Sequence, residues 1–191
     1  MDRETELRLV ARLKAGDPSA FEAIYDAYRP RLFGFLVRLS RRRDVAEDLL
    51  EETWLRLVTR AATLTDDARL APWLFTVARN LYLSWRRSRA VDATRTSELD
   101  PAWPAAERGE SPFEAAAVAE LERRVEAALA RLSLPDRELL LLVGVEGLTP
   151  AEAAGVCGLP PVTLRARLHR AREKLAIGMG TSREKLRAVA G

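Results

Sequence analysis

The sequence predicts an all-α protein made of two small helical domains joined by a flexible linker, and three observations lead to that prediction. Apolar side chains recur every three or four residues through most of the 191 residues, which is the period of an amphipathic helix. Alternating β-branched runs typical of strands are absent. Between residues 91 and 110 the helical period stops, and Pro101, Pro104, Gly109 and several acids appear instead, which indicates a linker.

The first two helices are predicted from turn residues and an apolar stripe. Leu7, Val10, Ala11 and Leu13 form a short amphipathic helix that Gly16 ends. Asp17-Pro18 is typical of a helix start, with an N-cap acid followed by proline at the first helical position. Pro30 is expected to interrupt and kink this second helix. Its apolar stripe comprises Phe21, Ile24, Tyr25, Tyr28, Leu32, Phe35, Leu36 and Leu39.

Two further helices complete the N-terminal half. Asp44 and Glu47 have the spacing of a capping box and are predicted to start a third helix. Its inward face holds Ala46, Leu49, Leu50, Thr53 and Leu57, and the acids Glu47, Asp48, Glu51 and Glu52 are left outside. The polar stretch 63–71 is predicted to be a loop, and Pro72 to open a fourth helix. The predicted buried stripe of this helix comprises Trp73, Leu74, Val77, Ala78 and Leu81.

The C-terminal half begins at a helix start formed by Ser111-Pro112-Phe113-Glu114. The stripe of that helix comprises Val118, Leu121, Val125, Leu129 and Leu132. Pro135 starts another helix, which Gly147 ends. The sequence therefore predicts an N-terminal domain over residues 5–90, a linker over 91–112, a C-terminal domain over 113–178 and a loose tail over 179–191.

Composition excludes several classes of protein. The chain has one cysteine, Cys157, and one histidine, His169, so it cannot form an internal disulfide or the usual four-ligand zinc site. No apolar run reaches the roughly 20 residues of a membrane span, and charged residues interrupt the N-terminus where a signal peptide would be apolar. We therefore expect a cytoplasmic protein with no catalytic residue, no metal, no cofactor and no membrane insertion.

Charge is segregated along the chain, although the net charge is only +3. Basic residues cluster around residues 38–43, 79–89 and 165–174, whereas acids concentrate at 47–52 and 98–114. Such segregation indicates one surface for nucleic acid and another for a basic partner. For any single cluster, an ordinary solvated helix face is the alternative interpretation.

The most informative motif is a predicted helix-turn-helix near the C-terminus. Thr149 and Glu152 form a capping box that starts a short helix, which runs to Cys157 and ends at Gly158. Leu159-Pro160-Pro161 turns the chain, and a longer basic helix follows over about residues 162–176. A short helix, a tight turn and a longer basic helix are typical of DNA-binding proteins. A solvated basic helix in an ordinary bundle is the competing interpretation.

The faces of the longer helix support the DNA-binding interpretation. Leu164, Leu168, Ala171 and Leu175 share one face and form a core stripe. The opposite face and its flanks carry Val162, Thr163, Arg165, Ala166, Arg167, His169 and Arg170. Arg165 is placed to reach guanine O6 and N7 in the major groove, and Thr163 and the flanking arginines to contact phosphates.

Four segments together resemble the sigma-70 family, in its extracytoplasmic-function (ECF) group. Residues 147–175 resemble its C-terminal helix-turn-helix, and Leu132-Ser-Leu-Pro-Asp-Arg-Glu138 is typical of the segment before it. Residues 44–57 are similar to the family's polymerase-binding helix, and residues 72–81 to its promoter-melting helix. These motifs occur in the family's order, and the resemblance extends over about residues 5–178.

The resemblance implies roles for particular residues. Glu47, Asp48, Glu51 and Glu52 would dock on core RNA polymerase. The loop Leu64, Thr65, Asp66, Asp67 and Arg69, with Asn80, would capture a base flipped from the −10 element of promoter DNA. Arg79, Arg86 and Arg87 would hold nearby phosphates, and the helix over 162–176 would read the −35 element. The resemblance also implies an anti-sigma factor as a partner, and we expect the free protein to be a monomer.

Three classes of function remain at this point. The first is a sigma factor that directs polymerase to promoters and assists their melting. The second is an autonomous helix-turn-helix regulator, which would usually dimerise on a palindromic site; no dedicated dimerisation heptads are seen. The third is a helical adaptor that never touches DNA. An enzyme is the least favoured reading.

Overall fold

A computed structural model describes residues 1–91 and 112–180, and the regular elements in these ranges are helical. The all-α prediction is therefore confirmed for the described residues. The described residues form two compact units, which for the most part are residues 1–91 and residues 112–180. Most of the predicted linker and tail lie outside the described residues. The domain boundaries consequently stay predictions.

The N-terminal unit contains four helices and a short 3-10 turn. Their bounds are α1 Arg3–Lys14, α2 Pro18–Ser40, α3 Arg43–Arg60, the turn Ala61–Thr63 and α4 Leu70–Val91. The helices pack around Phe35 and Phe75, which are fully buried and meet edge to face with ring centroids 5.1 Å apart. Phe75 is missing from the predicted stripe of α4, whereas Trp73 and Val77, which were included, are only half-buried.

Helix α1 buries Val10 and Leu13 as predicted, but the rest of its buried face differs from the prediction. Leu7 and Ala11 are exposed, and the buried face comprises Glu6, Leu9, Val10 and Leu13. The prediction failed because it excluded the acidic Glu6 from the inner face. That residue is buried because it has polar partners, which are described below.

Helix α2 begins as predicted but is not interrupted. The Asp17 carboxylate accepts a hydrogen bond from the Ser19 N–H at 2.9 Å, and Pro18 occupies the first turn. The expected interruption at Pro30 is wrong, because the helix continues through it to Ser40. Pro30 is exposed, and the fully buried Ile24 and Leu32 on either side of it secure the helix by packing.

Helix α3 begins without the predicted capping box. Its N-cap is Arg42, which makes no side-chain cap hydrogen bond. Asp44 instead accepts from the Arg42 guanidinium at 3.1 Å, and Glu47 pairs with Arg43 at 2.9 Å. Both carboxylates therefore bind nearby arginine side chains instead of the backbone N–H groups at the start of the helix. The hydrogen bond from Arg42 lowers the pKa of Asp44.

The C-terminal unit contains a widened helical turn. Its elements are α5 Pro112–Ala130, α6 Leu134–Leu140, a π-helical turn Leu141–Val145, α7 Pro150–Cys157 and α8 Pro161–Gly178. In the π-helical turn, the Glu146 N–H donates to the Leu141 carbonyl at 2.9 Å. Gly147 then reverses the chain with φ of +69°. Leu121 of α5, predicted to be inside, is 51% exposed.

A buried arginine closes the end of α5. Arg137 on α6 donates from Nε to the Leu129 carbonyl at 3.0 Å. Its Nη2 donates to the carbonyls of Ala130 at 3.1 Å and Leu132 at 3.2 Å. Helix C-termini leave carbonyl groups without intrahelical partners, and a cationic donor satisfies them while opposing the negative end of the helix dipole. Arg137 therefore joins α6 to α5.

Candidate nucleic-acid interface

The helix-turn-helix motif has the predicted local geometry. The Thr149 N–H donates to a Glu152 carboxylate oxygen at 2.9 Å, and the Glu152 N–H donates to the Thr149 hydroxyl at 3.2 Å. The capping box is thus confirmed. Gly158 has φ of +64°, and the Leu159 N–H donates back to the Ala154 carbonyl at 2.9 Å. The left-handed glycine lets the chain turn sharply from α7 into α8.

Helix α8 has one buried face and one exposed face. Leu164, Leu168 and Ala171 are buried, and Leu175 is half-buried, so the predicted core stripe is present. On the other side Val162 is 76% exposed. The other exposed residues of the predicted DNA-facing set are Thr163, Arg165, Ala166, His169 and Arg170. This face is therefore open to a partner.

Two members of the predicted set lie near carboxylates of the protein, and Arg170 Nε donates to the Ala166 carbonyl at 3.3 Å. Arg167 is half-buried and lies near Asp136, where its positive charge helps to lower the pKa of that carboxyl. His169 Nε2 lies 4.0 Å from the Glu173 carboxylate on the next turn. Arg167 is consequently less accessible than Arg165 and Arg170.

The 64–69 loop follows the 3-10 turn and precedes α4. Thr65, Asp66, Asp67 and Arg69 are exposed. Leu64 is only 6% exposed and belongs to the core, so its inclusion in a base-binding set is wrong for this conformation. The resemblance implied this role for Leu64 only as the first residue of the 64–69 loop. A single leucine in a polar stretch is itself a sign of an inward anchor.

Helix α4 carries the remaining residues that were predicted to bind DNA. Asn80, Arg86 and Arg87 are exposed, and Arg79 is half-buried. Asn80 and Arg87 are seven residues apart and therefore lie on the same face, two turns from each other. Farther along, the rings of Tyr82 and Trp85 stack at 6.0 Å. An extended polar face thus follows the 64–69 loop.

The acidic face of α3 lies opposite its buried residues, as predicted. Glu47, Asp48 and Glu51 are exposed, and Glu52 is half-buried. Glu52 pairs with Arg56 at 2.9 Å, as Glu47 does with Arg43. Among the described residues, neither Asp48 nor Glu51 forms an ion pair. The neighbouring Leu55 and Val58 are 58% and 56% exposed, so the acidic face adjoins an apolar one.

Sequence reasoning missed three buried polar residues that position these surfaces: Glu6, Asp136 and Arg137. Glu6 and Asp136 bind partners 64 and 38 residues away, whereas Arg137 binds carbonyls five to eight residues before it, and periodicity alone holds no signal for any of these contacts. A charged residue at a position in phase with an apolar stripe, as Glu6 is with Leu9, Val10 and Leu13, is the available clue. In the described ranges, no helix is long and apolar enough to span a bilayer.

Comparison with known proteins settles the family. The model described as "Sigma-70 region 2" matches residues 24–91, and "Sigma-70, region 4" matches residues 122–175. RNA polymerase sigma factor CarQ of Myxococcus xanthus is 34% identical over 86% of this chain and 91% of its own length. The chain belongs to the sigma-70 family. ECF RNA polymerase sigma factor EcfG of Rhodopseudomonas palustris is 35% identical over 77% of this sigma factor and 78% of its own length.

Solved structures agree with this assignment. The sigma factor RpoE of Bartonella quintana, in a complex with the anti-sigma factor NepR, matches with a TM-score of 0.71 and 28% identity. The match covers 85% of this sigma factor and 98% of that chain. CnrH, solved with the cytosolic domain of CnrY, has the same fold, with a TM-score of 0.65 and 22% identity over 91% of this chain and 96% of that one. The protein is an ECF sigma factor and directs RNA polymerase to promoters.

Proposed function

We propose that this sigma factor divides promoter recognition between its two units. Helix α8 reads the −35 element in the major groove, with Arg165 contacting base edges and Thr163 and Arg170 contacting phosphates. The observation that supports this assignment is the exposed face of α8, from Val162 to Arg170, opposite the buried Leu164, Leu168 and Ala171. Arg167, which is half-buried beside Asp136, contributes less to DNA contact than Arg165 and Arg170 do.

The N-terminal unit acts at the −10 element. The exposed side chains of the 64–69 loop, with Asn80, hold a base that has left the duplex, and Arg79, Arg86 and Arg87 hold the adjoining phosphates. Extrusion of a base costs a few kcal/mol, which contacts in a pocket can offset. The loop and the exposed face of α4 follow each other in one unit, which supports a shared binding surface. In this way the unit assists promoter melting.

The acidic face of α3 docks on a basic surface of core polymerase. Asp48 and Glu51 are exposed and form no ion pair within the described residues, so they are available to positive charges of a partner. The adjoining Leu55 and Val58 add apolar area that docking would bury. The protein itself catalyses nothing, because bond formation belongs to the polymerase. It works in the cytoplasm, where polymerase and promoters are found.

Control by an anti-sigma factor accompanies this function. RpoE of Bartonella quintana was solved with such an inhibitor, NepR, and it resembles this chain over most of its length. An inhibitor that covers the acidic face of α3 and the exposed face of α8 would block polymerase and DNA together. We expect the free protein to be a monomer that binds core polymerase without further activation.

Reconstitution from purified components tests this proposal. Core polymerase, the sigma factor and fragmented genomic DNA are combined, and run-off transcripts are mapped to find the promoters used. Promoter-specific transcripts that require the sigma factor are expected. Specific promoter binding by the sigma factor alone, with no effect on core polymerase, would instead identify an autonomous regulator. A protein that binds neither core polymerase nor DNA would instead fit the third class, a helical adaptor.

A further inference from the structure

Side chains of helix α1 contact the 64–69 loop at loop residues 66–68, mostly through the backbone of the loop. Arg3 Nη1 donates to the Ala68 carbonyl at 2.9 Å, and Arg3 Nη2 donates to the Asp67 carbonyl at 2.5 Å. At the other end of α1, Lys14 pairs with the carboxylate of Asp66. These partners are more than fifty residues apart in sequence, so the contacts fix the loop against another part of the unit.

Glu6 is the centre of this contact. Its side chain is only 7% exposed. One carboxylate oxygen accepts the N–H of Leu70 at 2.7 Å, and Leu70 is the first residue of α4. The other oxygen lies 2.8 Å from Nη1 of Arg3 and 3.5 Å from Nε of Arg69. A buried carboxylate is tolerated only when it is paired and hydrogen-bonded, and both conditions are met here.

The arrangement fixes the backbone of the loop and leaves the side chains of Thr65 and Asp67 exposed, whereas those of Asp66 and Arg69 pair with Lys14 and Glu6. The anchors of Asp67, Ala68 and Leu70 named above are backbone groups, and each is held by a side chain of α1. Thr65, meanwhile, remains exposed. A loop that is held in place before binding loses less conformational entropy when it captures a ligand. It also presents its side chains in one geometry, which specificity requires.

We propose that Glu6 and Arg3 are positioning residues for promoter reading. They hold the 64–69 loop in a single conformation, so that a −10 base meets the same arrangement of groups each time. This inference rests on the proposed role of the loop at the −10 element. Neither residue needs to contact DNA. Both act through the loop, and their loss reduces discrimination among −10 sequences more than it reduces binding to core polymerase.

The test compares Glu6→Gln and Arg3→Gln with wild type in the full-length protein. Glu6→Gln keeps an acceptor for the Leu70 N–H but removes the charge that pairs with Arg3 and Arg69. Arg3→Gln removes the bonds to the loop carbonyls from a partly exposed position, so the fold should survive. Glu4→Gln is the matched control, because Glu4 is an exposed carboxylate on the same helix.

Two measurements are needed. Hydrogen exchange at the Leu70 amide reports on the hydrogen bond from this N–H to Glu6, and exchange is expected to be faster in Glu6→Gln. The preference among −10 sequences is measured by transcription with the reconstituted holoenzyme from a promoter library that is randomised at the −10 element. The preference for the best base over the others at the captured position is expected to fall about tenfold in both variants. Affinity for core polymerase and the −35 preference should equal those of wild type and Glu4→Gln.

Three results would overturn the inference. One is an unchanged −10 preference in both folded variants, and another is an equal loss at the −35 and −10 elements, which would indicate general destabilisation. If Glu6→Gln fails to fold, Arg3→Gln alone decides the matter. A wild-type holoenzyme with no −10 preference contradicts the proposed role of the loop, and this inference with it. That failure is distinguishable because it appears without any substitution.

Discussion

The ammonium group of Lys174 on α8 lies 2.5 Å from a carboxylate oxygen of Asp136 on α6. Asp136 is only 6% exposed. Burial by itself raises the pKa of Asp136, but hydrogen bonds from Lys174 and Ser133 and the charges of Lys174 and Arg167 outweigh it, and the net pKa is lowered. Helix α8 is therefore held to α6 by an interaction that requires the ionised carboxylate.

The first prediction concerns pH. Because the folded-state pKa of Asp136 is lowered from the ordinary 3.8, its contribution to stability is complete above that value and is lost as the pH falls through the folded-state pKa. Asp136→Asn should cost on the order of 1 kcal/mol at pH 7. It should also flatten the acid limb of the stability curve. Thermal unfolding of both proteins between pH 7 and pH 3 measures this, and parallel curves would contradict the prediction.

The second prediction concerns the cap on α5. Arg137→Leu leaves the carbonyls of Leu129, Ala130 and Leu132 without this donor, and should destabilise the C-terminal unit by roughly 2–4 kcal/mol. Arg137→Lys retains the charge but not the planar fork of donors, and should recover only part of the loss. Urea unfolding of the three proteins tests this. Full recovery by lysine would show that charge alone suffices.

The third prediction separates base reading from phosphate contact on α8. Arg165→Ala should cost about 1–3 kcal/mol of promoter binding and relax the preference at one or two −35 base pairs. Arg170→Ala should weaken binding to all sequences similarly and reduce its salt dependence. Holoenzyme binding to promoters that differ at single −35 positions distinguishes the two. Identical losses on every sequence would contradict the assigned roles.

The fourth prediction concerns polymerase docking. Charge reversal by Asp48→Lys with Glu51→Lys should weaken binding to core polymerase severalfold or more while the fold remains intact, because both side chains are exposed. Glu22→Lys with Asp26→Lys is the matched control, since these are exposed acids on α2. Competition for core enzyme measures the affinity. Equal affinity of the α3 double variant and wild type would refute the docking surface.

The fifth prediction concerns Arg41. This residue follows α2 with φ of +57°, the left-handed conformation that glycine adopts without steric cost. Arg41→Gly should therefore stabilise the N-terminal unit by up to about 1 kcal/mol. Arg41→Ala removes the same side chain but keeps the Cβ atom, and should not stabilise. Thermal unfolding of both variants decides whether backbone conformation is the cause.

The sequence was sufficient for features set by neighbouring residues. The cap at Asp17, the capping box of Thr149 and Glu152, and the stripe of Leu164, Leu168 and Ala171 depend only on residues a few positions apart. A local rule failed where a closer partner competed, as Arg42 does for Asp44. The predicted site surfaces on α8 and α3 also follow from periodicity, because exposed faces lie opposite buried ones.

What the sequence could not predict involves polar contacts between distant segments. Glu6 binds the N–H of Leu70, which is 64 residues away. Asp136 binds Lys174 across 38 residues. Periodicity assigns charged residues to the surface, so it wrongly predicts that the buried Glu6 and Asp136 are exposed. Only the tertiary structure shows that a buried charge has found enough partners to offset its loss of hydration.

The π-helical turn Leu141–Val145 has a consequence for chain length in this region. Successive residues of a helix are separated by about 100° around its axis. The i to i+5 bond of this turn encloses one residue more than a regular helical turn does. Deletion of one residue within the turn can therefore be absorbed by closure to a regular helix, whereas insertion of one would rotate everything downstream by about that angle. Leu148, which is buried, would then face a different direction. We expect this segment to tolerate side-chain changes at the exposed Gly144 and Val145, or the loss of one residue, far better than the gain of one.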